Sequence, residues 1–168
     1  RSFPTRRSSD LVHEPDDAYE YKILETKPGE GYTSFIVDLI SQRFLTTKDV
    51  DRIKWRHSLI IVKPDIIKHQ TGMLIIDGGD NDGKILPGPS DLIVEYARAT
   101  GSVVAELGMV PNQPLTFAGE DEPRWEDALI AFTWDKYLKT GDERWPARMA
   151  MTKSAIAAMD TIDRKSTR

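Results

Sequence analysis

The stretch that most restricts what this chain can fold into is residues 72–83, GMLIIDGGDNDG. Met73–Ile76 is a short, unbroken apolar run weighted towards β-branched side chains. That pattern predicts a strand buried on both faces, as parallel strands are when helices cover the sheet. The run stops abruptly at Asp77, Gly78, Gly79, Asp80, Asn81, Asp82 and Gly83, where the glycines permit positive φ and leave backbone N–H groups uncovered. A buried strand feeding a glycine loop is where α/β proteins receive ligands, at the carboxyl edge of the sheet.

The elements around this stretch read as an α/β chain. Residues 19–26 (YEYKILET) and 32–41 (YTSFIVDLIS) have strand content on either side of a Lys-Pro-Gly-Glu-Gly turn, and predict an antiparallel hairpin. Residues 42–55 show no firm period and read as loop with room for a short helix. Residues 57–64 (HSLIIVKP) are a further strand, ended by a proline that cannot donate to a ladder. Beyond the glycine loop, Ser90 is a candidate N-cap, Leu92, Ile93, Tyr96 and Ala97 supply a helical face, and Gly101 takes the C′ position. Residues 102–107 (SVVAEL) complete a strand, helix, strand unit. Residues 110–122 form a long loop holding Pro111 and Pro114, of a length often tied to function. Pro123 is expected to open a helix, with Asp121 and Glu122 at its positive end, Trp125, Leu129, Phe132 and Tyr137 along it, and Gly141 closing it. Pro146 starts a last helix, in which Met149, Ile156, Met159 and Ile162 are expected to face the core.

At 168 residues the chain can bury one substantial core, and its net charge of −4 lacks the basic balance of a nucleic-acid binder. No apolar run approaches the roughly 20 residues that a membrane span requires. Cysteine is absent, which excludes disulfides, thiolate catalysis and cysteine–zinc sites. Residues 1–11 (RSFPTRRSSDL) and 163–168 (DRKSTR) are basic and Ser/Thr-rich without apolar periodicity. They resemble translated sequencing-adapter tails and are read as non-native, the alternative being ordinary frayed termini. The informative chain is then 12–162, expected to be truncated on both sides.

Each chemical candidate has a plainer competitor. Gly78, Gly83 and Lys84 nearly spell a phosphate-binding loop, but Ile85 stands where the magnesium-holding hydroxyl belongs, and Asp80 and Asp82 would repel phosphate. The same acidic turn lacks EF-hand spacing, with Pro89 at the twelfth position, so a solvated loop is the simpler reading and no metal or cofactor is expected. His13, His57 and His69 show no ligand spacing, and His57 at a strand start reads as structural. No G-x-S-x-G elbow occurs; Ser90, Ser102 and Ser154 lack its glycines. Glu126 and Asp127 suit a helix dipole, while Met149, Met151 and Met159, with Trp125, Trp134 and Trp145, read as packing. The chain therefore carries no self-sufficient catalytic set.

One assignment accounts for the Gly78-Gly79 loop. In α/β-hydrolases an oxyanion-hole N–H comes from the glycine-rich loop after the third strand, and glycine permits the approach to about 3 Å that such a donor needs. The backbone of Gly78, Gly79 and Asp80 supplies the candidate donors, with Asn81, Asn112 and Gln113 as candidate loop-orienting amides. The nucleophile would lie beyond the next strand.

Residues 103–117 (VVAELGMVPNQPLTF), 124–138 (RWEDALIAFTWDKYL) and 145–160 (WPARMAMTKSAIAAMD) resemble the PhoPQ-activated pathogenicity-related protein family, and the hairpin, WRHSLIIVKP and LIIDGGDN follow in the same order. The resemblance implies a partial α/β-hydrolase-like sheet, an antiparallel hairpin followed by parallel βαβ strands with helices on its faces, truncated before the nucleophile strand. It also implies an exported protein, secreted or periplasmic, although no signal peptide is visible. The full protein is then expected to be a serine hydrolase acting on a small-molecule, ester or peptide substrate. The alternative is a hydrolase-fold binding or signalling protein without catalytic activity.

Overall fold

The computed structural model describes residues 8–166. A short helix, α1 (Ser8–His13), precedes a five-stranded sheet of β1 (Glu20–Gly29), β2 (Tyr32–Arg43), β3 (Lys54–Pro64), β4 (Met73–Ile76) and β5 (Val104–Leu107). The longer helices are α2 (Asp91–Thr100), α3 (Glu126–Thr140) and α4 (Ala147–Ser166). In space the strands run β1-β2-β3-β5-β4. β1 and β2 form the expected antiparallel hairpin, β3 is antiparallel to β2 and β5, and β5 lies parallel to β4 with α2 as the crossover between them. Of the two basic tails, residues 1–7 and 167–168 lie outside the described residues, whereas α1 begins at Ser8 and α4 continues to Ser166.

The alternation of β3 explains why helices cover both faces of the sheet. Leu59 and Ile61 join Val37, Leu39, Ala105 and Ala158 in one cluster, on the α4 side. Ile60 and Val62 point the other way, against Ile93 and Ala97 of α2. A third cluster, with Phe44, Trp55, Leu115, Phe117, Leu129 and Trp145, roots α3 and the start of α4 beside the sheet. Because β2 runs parallel to β4 and β5, these three strands end on one edge, where β3 begins. Every candidate site residue lies at that edge.

Several expectations are corrected. β4 is not a central strand buried on both faces: it is the outer strand beyond β5, with Met73 40% and Ile76 51% exposed. An apolar run reports a preference for burial; the pairing order decides whether a neighbour is there to provide it. Residues 44–53 are the expected loop, built of turns without a helix, but its outer residues 42–43 and 54–55 belong to β2 and β3. α3 starts at Glu126, not at Pro123, because Arg124 is held extended by two backbone hydrogen bonds with Leu115. Trp125 and Trp134 are exposed, while Trp145 packs. On α2 only Ile93 and Ala97 of the predicted face are buried. Ser90 occupies the N-cap position, but its hydroxyl donates to Glu106 instead of capping. α4 docks through small residues, Ala147, Ala150, Ser154, Ala157, Ala158 and Thr161, and leaves Met159 half in solvent. That three- and four-residue spacing is a helical stripe which lets the helix axis approach the sheet closely.

Candidate active-site edge

The corner after β4 is built by main-chain bonds to the strand beside it. The ladder continues one step as Asp77 N–H donates to the Leu107 carbonyl. The chain then turns back on β5: Val110 N–H donates to Asp77 O at 3.1 Å and Met109 N–H to Gly78 O at 2.7 Å. Gly78 N–H is taken by its neighbour's carboxylate, at 2.8 Å from Asp77 Oδ1. Gly79 has φ +107°, a conformation that favours glycine, and a side chain added at Gly78 would meet nothing within 4 Å. The corner is exposed, so its backbone is bare on the outer side. Among the described residues, the Gly79 and Asp80 amides donate to no other group.

Asn81, Asn112 and Gln113 come together immediately behind it. Asn81 does not bond its own backbone, as a turn asparagine often does. Its side-chain amide donates to Asn112 Oδ1, and Asn112 in turn donates to the Arg56 carbonyl at the start of β3. The Gln113 carbonyl accepts from Asn81 N–H, while Gln113 Oε1 accepts from Glu126 N–H at 2.7 Å. Gln113 thereby caps α3, whose own N-cap residue, Trp125, has no side-chain acceptor to offer. These three residues are buried, and they connect the corner to β3 on one side and α3 on the other.

Two arginines support the same loop and carry no sequence motif that would have marked them. Arg52 Nη1 lies 3.0 Å from the Asn81 carbonyl. Arg56 reaches Gly83 O at 3.4 Å and grips both carboxylate oxygens of Asp38, at 2.6 and 2.8 Å, which raises its own pKa further. Lys84 pairs with Asp82 at 2.6 Å, and the ammonium holds that carboxyl below its usual range.

Beneath the edge lies a buried polar chain between α4 and the sheet. His57 is fully buried; its Nδ1 sits 3.2 Å from the Gly108 carbonyl and its Nε2 2.9 Å from Ser41 Oγ. Burial pushes the imidazole down to about 4, against the opposing pull of the Gly108 and Met109 backbone, so it is neutral at ordinary pH. A carbonyl can only accept, which places the ring proton on Nδ1 and makes Nε2 the acceptor of the Ser41 hydroxyl. Ser41 also meets Ser154 of α4 at 3.0 Å, and Gln42 Nε2 donates to Ser154 Oγ at 3.0 Å and to the Ala150 carbonyl at 2.6 Å. Ser41 and His57 have the spacing of a nucleophile and its base. However, they are 2% and 0% exposed, so no substrate can reach them. The sequence does carry a signal for this: His57 shares its strand face with Leu59 and Ile61.

A sequence model of the PhoPQ-activated pathogenicity-related protein family matches residues 8–168. Autocrine proliferation repressor protein A of Dictyostelium discoideum is 36% identical over 155 residues, covering 91% of this chain and 31% of that protein. The chain thus spans about a third of the length of the curated relative it matches. Among solved structures, a Bacteroides fragilis protein described as an acetyl xylan esterase superposes with a TM-score of 0.50 at 9% identity, over 96% of this chain and 41% of the other. A glucuronoyl esterase from Solibacter usitatus gives 0.37 at 16% identity, over 83% and 49%.

Proposed function

The chain belongs to the PhoPQ-activated pathogenicity-related protein family, and on that premise we propose that residues 12–162 are the amino-terminal part of an exported α/β-hydrolase-like enzyme that cleaves an ester or peptide bond. The observation that carries this reading is the bare corner at Gly78, Gly79 and Asp80, on the carboxyl edge of a parallel strand pair. Backbone amides fixed there can stabilise an oxyanion without reorganising as charge develops. Gly78 is already committed to Asp77, so Gly79 and Asp80 are the working donors. The open edge of β4 is where the strand carrying the nucleophile adds, bringing a serine beside this corner.

A competing reading, a binding protein that catalyses nothing, draws on the same loop. Asp77, Asp80 and Asp82 surround the corner with carboxylates that disfavour a growing negative charge. Treatment of the full-length protein with a fluorophosphonate probe separates the two. Stoichiometric labelling of one serine, with turnover of a p-nitrophenyl ester, supports the hydrolase. A folded full-length protein that neither labels nor turns over rejects it in favour of the binding protein.

A further inference from the structure

We infer that His57 is a positioning residue which, through two successive peptide groups, aims the Gly79 N–H outward from the corner. The inference rests on the reading of that corner as an oxyanion donor, and it adds a residue 22 positions upstream of Gly79 that cannot touch substrate itself.

The Gly108–Met109 peptide has its carbonyl on His57 Nδ1–H and its N–H on the Gly78 carbonyl. A trans peptide is planar, with C=O and N–H on opposite sides. Holding the Gly108 carbonyl therefore fixes where the Met109 N–H points, and that bond in turn holds the Gly78 carbonyl. The same planarity then applies to the Gly78–Gly79 peptide. With its carbonyl tied inward to Met109, its N–H is turned to the opposite, open side.

Met109 supplies the reason a latch is needed. It is a non-glycine residue with φ +63°, a left-handed conformation that costs about 1–2 kcal/mol for an ordinary side chain. Rotation of the Gly108–Met109 peptide by half a turn would bring that φ back to a negative value and withdraw the N–H from Gly78. The donation from His57 opposes this flip. Ser41 and Ser154 hold the ring from behind, so that Nδ1 carries the proton and faces Gly108.

The test uses the full-length protein and exploits the difference between two amide side chains. In His57→Asn the amide nitrogen falls near the place of Nδ1 and can still donate to Gly108. In His57→Gln it falls near Nε2 and can serve only Ser41. Thr161→Val, which removes the bond between α4 and Tyr19, is a stability control distant from the latch. Residue-resolved amide exchange is read at Met109 and Val110, with Ile61 as the internal reference. His57→Gln should speed exchange at Met109 on the order of tenfold beyond any change at Ile61, whereas His57→Asn and Thr161→Val should move the two sites together. In ester hydrolysis, His57→Gln should lower kcat on the order of 10²-fold at little cost in KM, with His57→Asn recovering most of it. Equal exchange in the Asn and Gln variants, or a Thr161→Val effect as large as that of His57→Gln, overturns the latch. If the full-length protein neither labels with the fluorophosphonate probe nor turns over an ester but the exchange pattern follows the prediction, the latch stands and the hydrolase reading falls. If His57→Gln does not fold, His57→Asn alone decides: a rise in exchange at Met109 over wild type that exceeds the change at Ile61 sinks the proposal, and a matched change at both sites supports it.

Discussion

β3 and β4 are written in nearly the same letters and live in opposite surroundings. Residues 59–62 (LIIV) of β3 are at most 1% exposed, covered by α4 on one face, α2 on the other and a strand on each side. Residues 73–76 (MLII) of β4 have a neighbour on one side only, and both ends of the run are open to solvent. Burial in a sheet is thus a property of position, and two runs of equal apolarity make very different contributions to stability. The contrast also divides the labour of the molecule: β3 anchors, while β4 leads into the loop that is left bare.

The largest predicted effect tests that division directly. Leu59→Ala removes packing from a fully buried site and should destabilise the chain by about 3 kcal/mol, within the usual range of about 2–5. Ile76→Ala, at a site 51% exposed, should cost under about 1 kcal/mol. Denaturant titration of the two variants gives the comparison; equal losses would mean that β4 is covered in solution and that the contrast is wrong.

His57, at the foot of β3, makes the next prediction. In the folded chain it titrates near 4, in the unfolded chain near 6.5. Between those values the unfolded chain binds a proton that the folded one refuses, so stability falls as pH drops from about 6.5 to 4 and is level above that window. The loss should amount to about 3 kcal/mol for this buried ring, and His57→Asn should flatten that part of the profile. A wild-type profile that stays level through the window would show the imidazole is solvated, and the buried chain from Ser154 to Gly108 would not exist as described.

How much of this could be read from the letters alone follows the same line between local and positional information. Gly101 and Gly141 close α2 and α3 in left-handed conformations as turn chemistry dictates, and the hairpin and the β4-α2-β5 unit follow from strand content and spacing. What was not legible depends on partners far apart in sequence. Arg124 looks like a helix residue until Leu115 pairs with it. Ala150, Ser154 and Ala158 look neutral until the sheet demands a thin helix face. Gly78 and Gly79 announce a corner, yet nothing in residues 72–83 names Met109 or His57 as what holds it.

Gln113 offers a smaller test of such long-range partnership. Gln113→Ala removes the acceptor for Glu126 N–H and should cost about 1 kcal/mol, the usual worth of an N-cap. Exchange at Glu126 should rise in the same variant. Gln113→Glu keeps the acceptor, but at a site 3% exposed the cost of burying a carboxylate opposes its gain at the helix's positive end, so its stability should not exceed that of wild type. If the alanine variant is as stable as wild type, α3 is not tethered to the candidate site through this residue.

The smallest folding effect belongs to the open edge, and there the consequence lies in association. An uncovered strand edge with apolar side chains beside it is a template for pairing with another chain, and lysine on such an edge opposes that pairing. In the 168-residue chain, Ile76→Lys should change stability by no more than about 0.5 kcal/mol, because the side chain already meets solvent. It should nevertheless reduce self-association measured by light scattering, relative to wild type at equal concentration. In a longer chain that supplies the proposed extra strand, the folding effect should be larger. If a further strand adds to β4, the same lysine is forced between strand and helix layer, and stability should fall by about 2 kcal/mol or more. An Ile76→Lys change that is equally mild in both lengths would mean that no strand covers this edge, and the proposed placement of a nucleophile strand beside the Gly79 corner would fall.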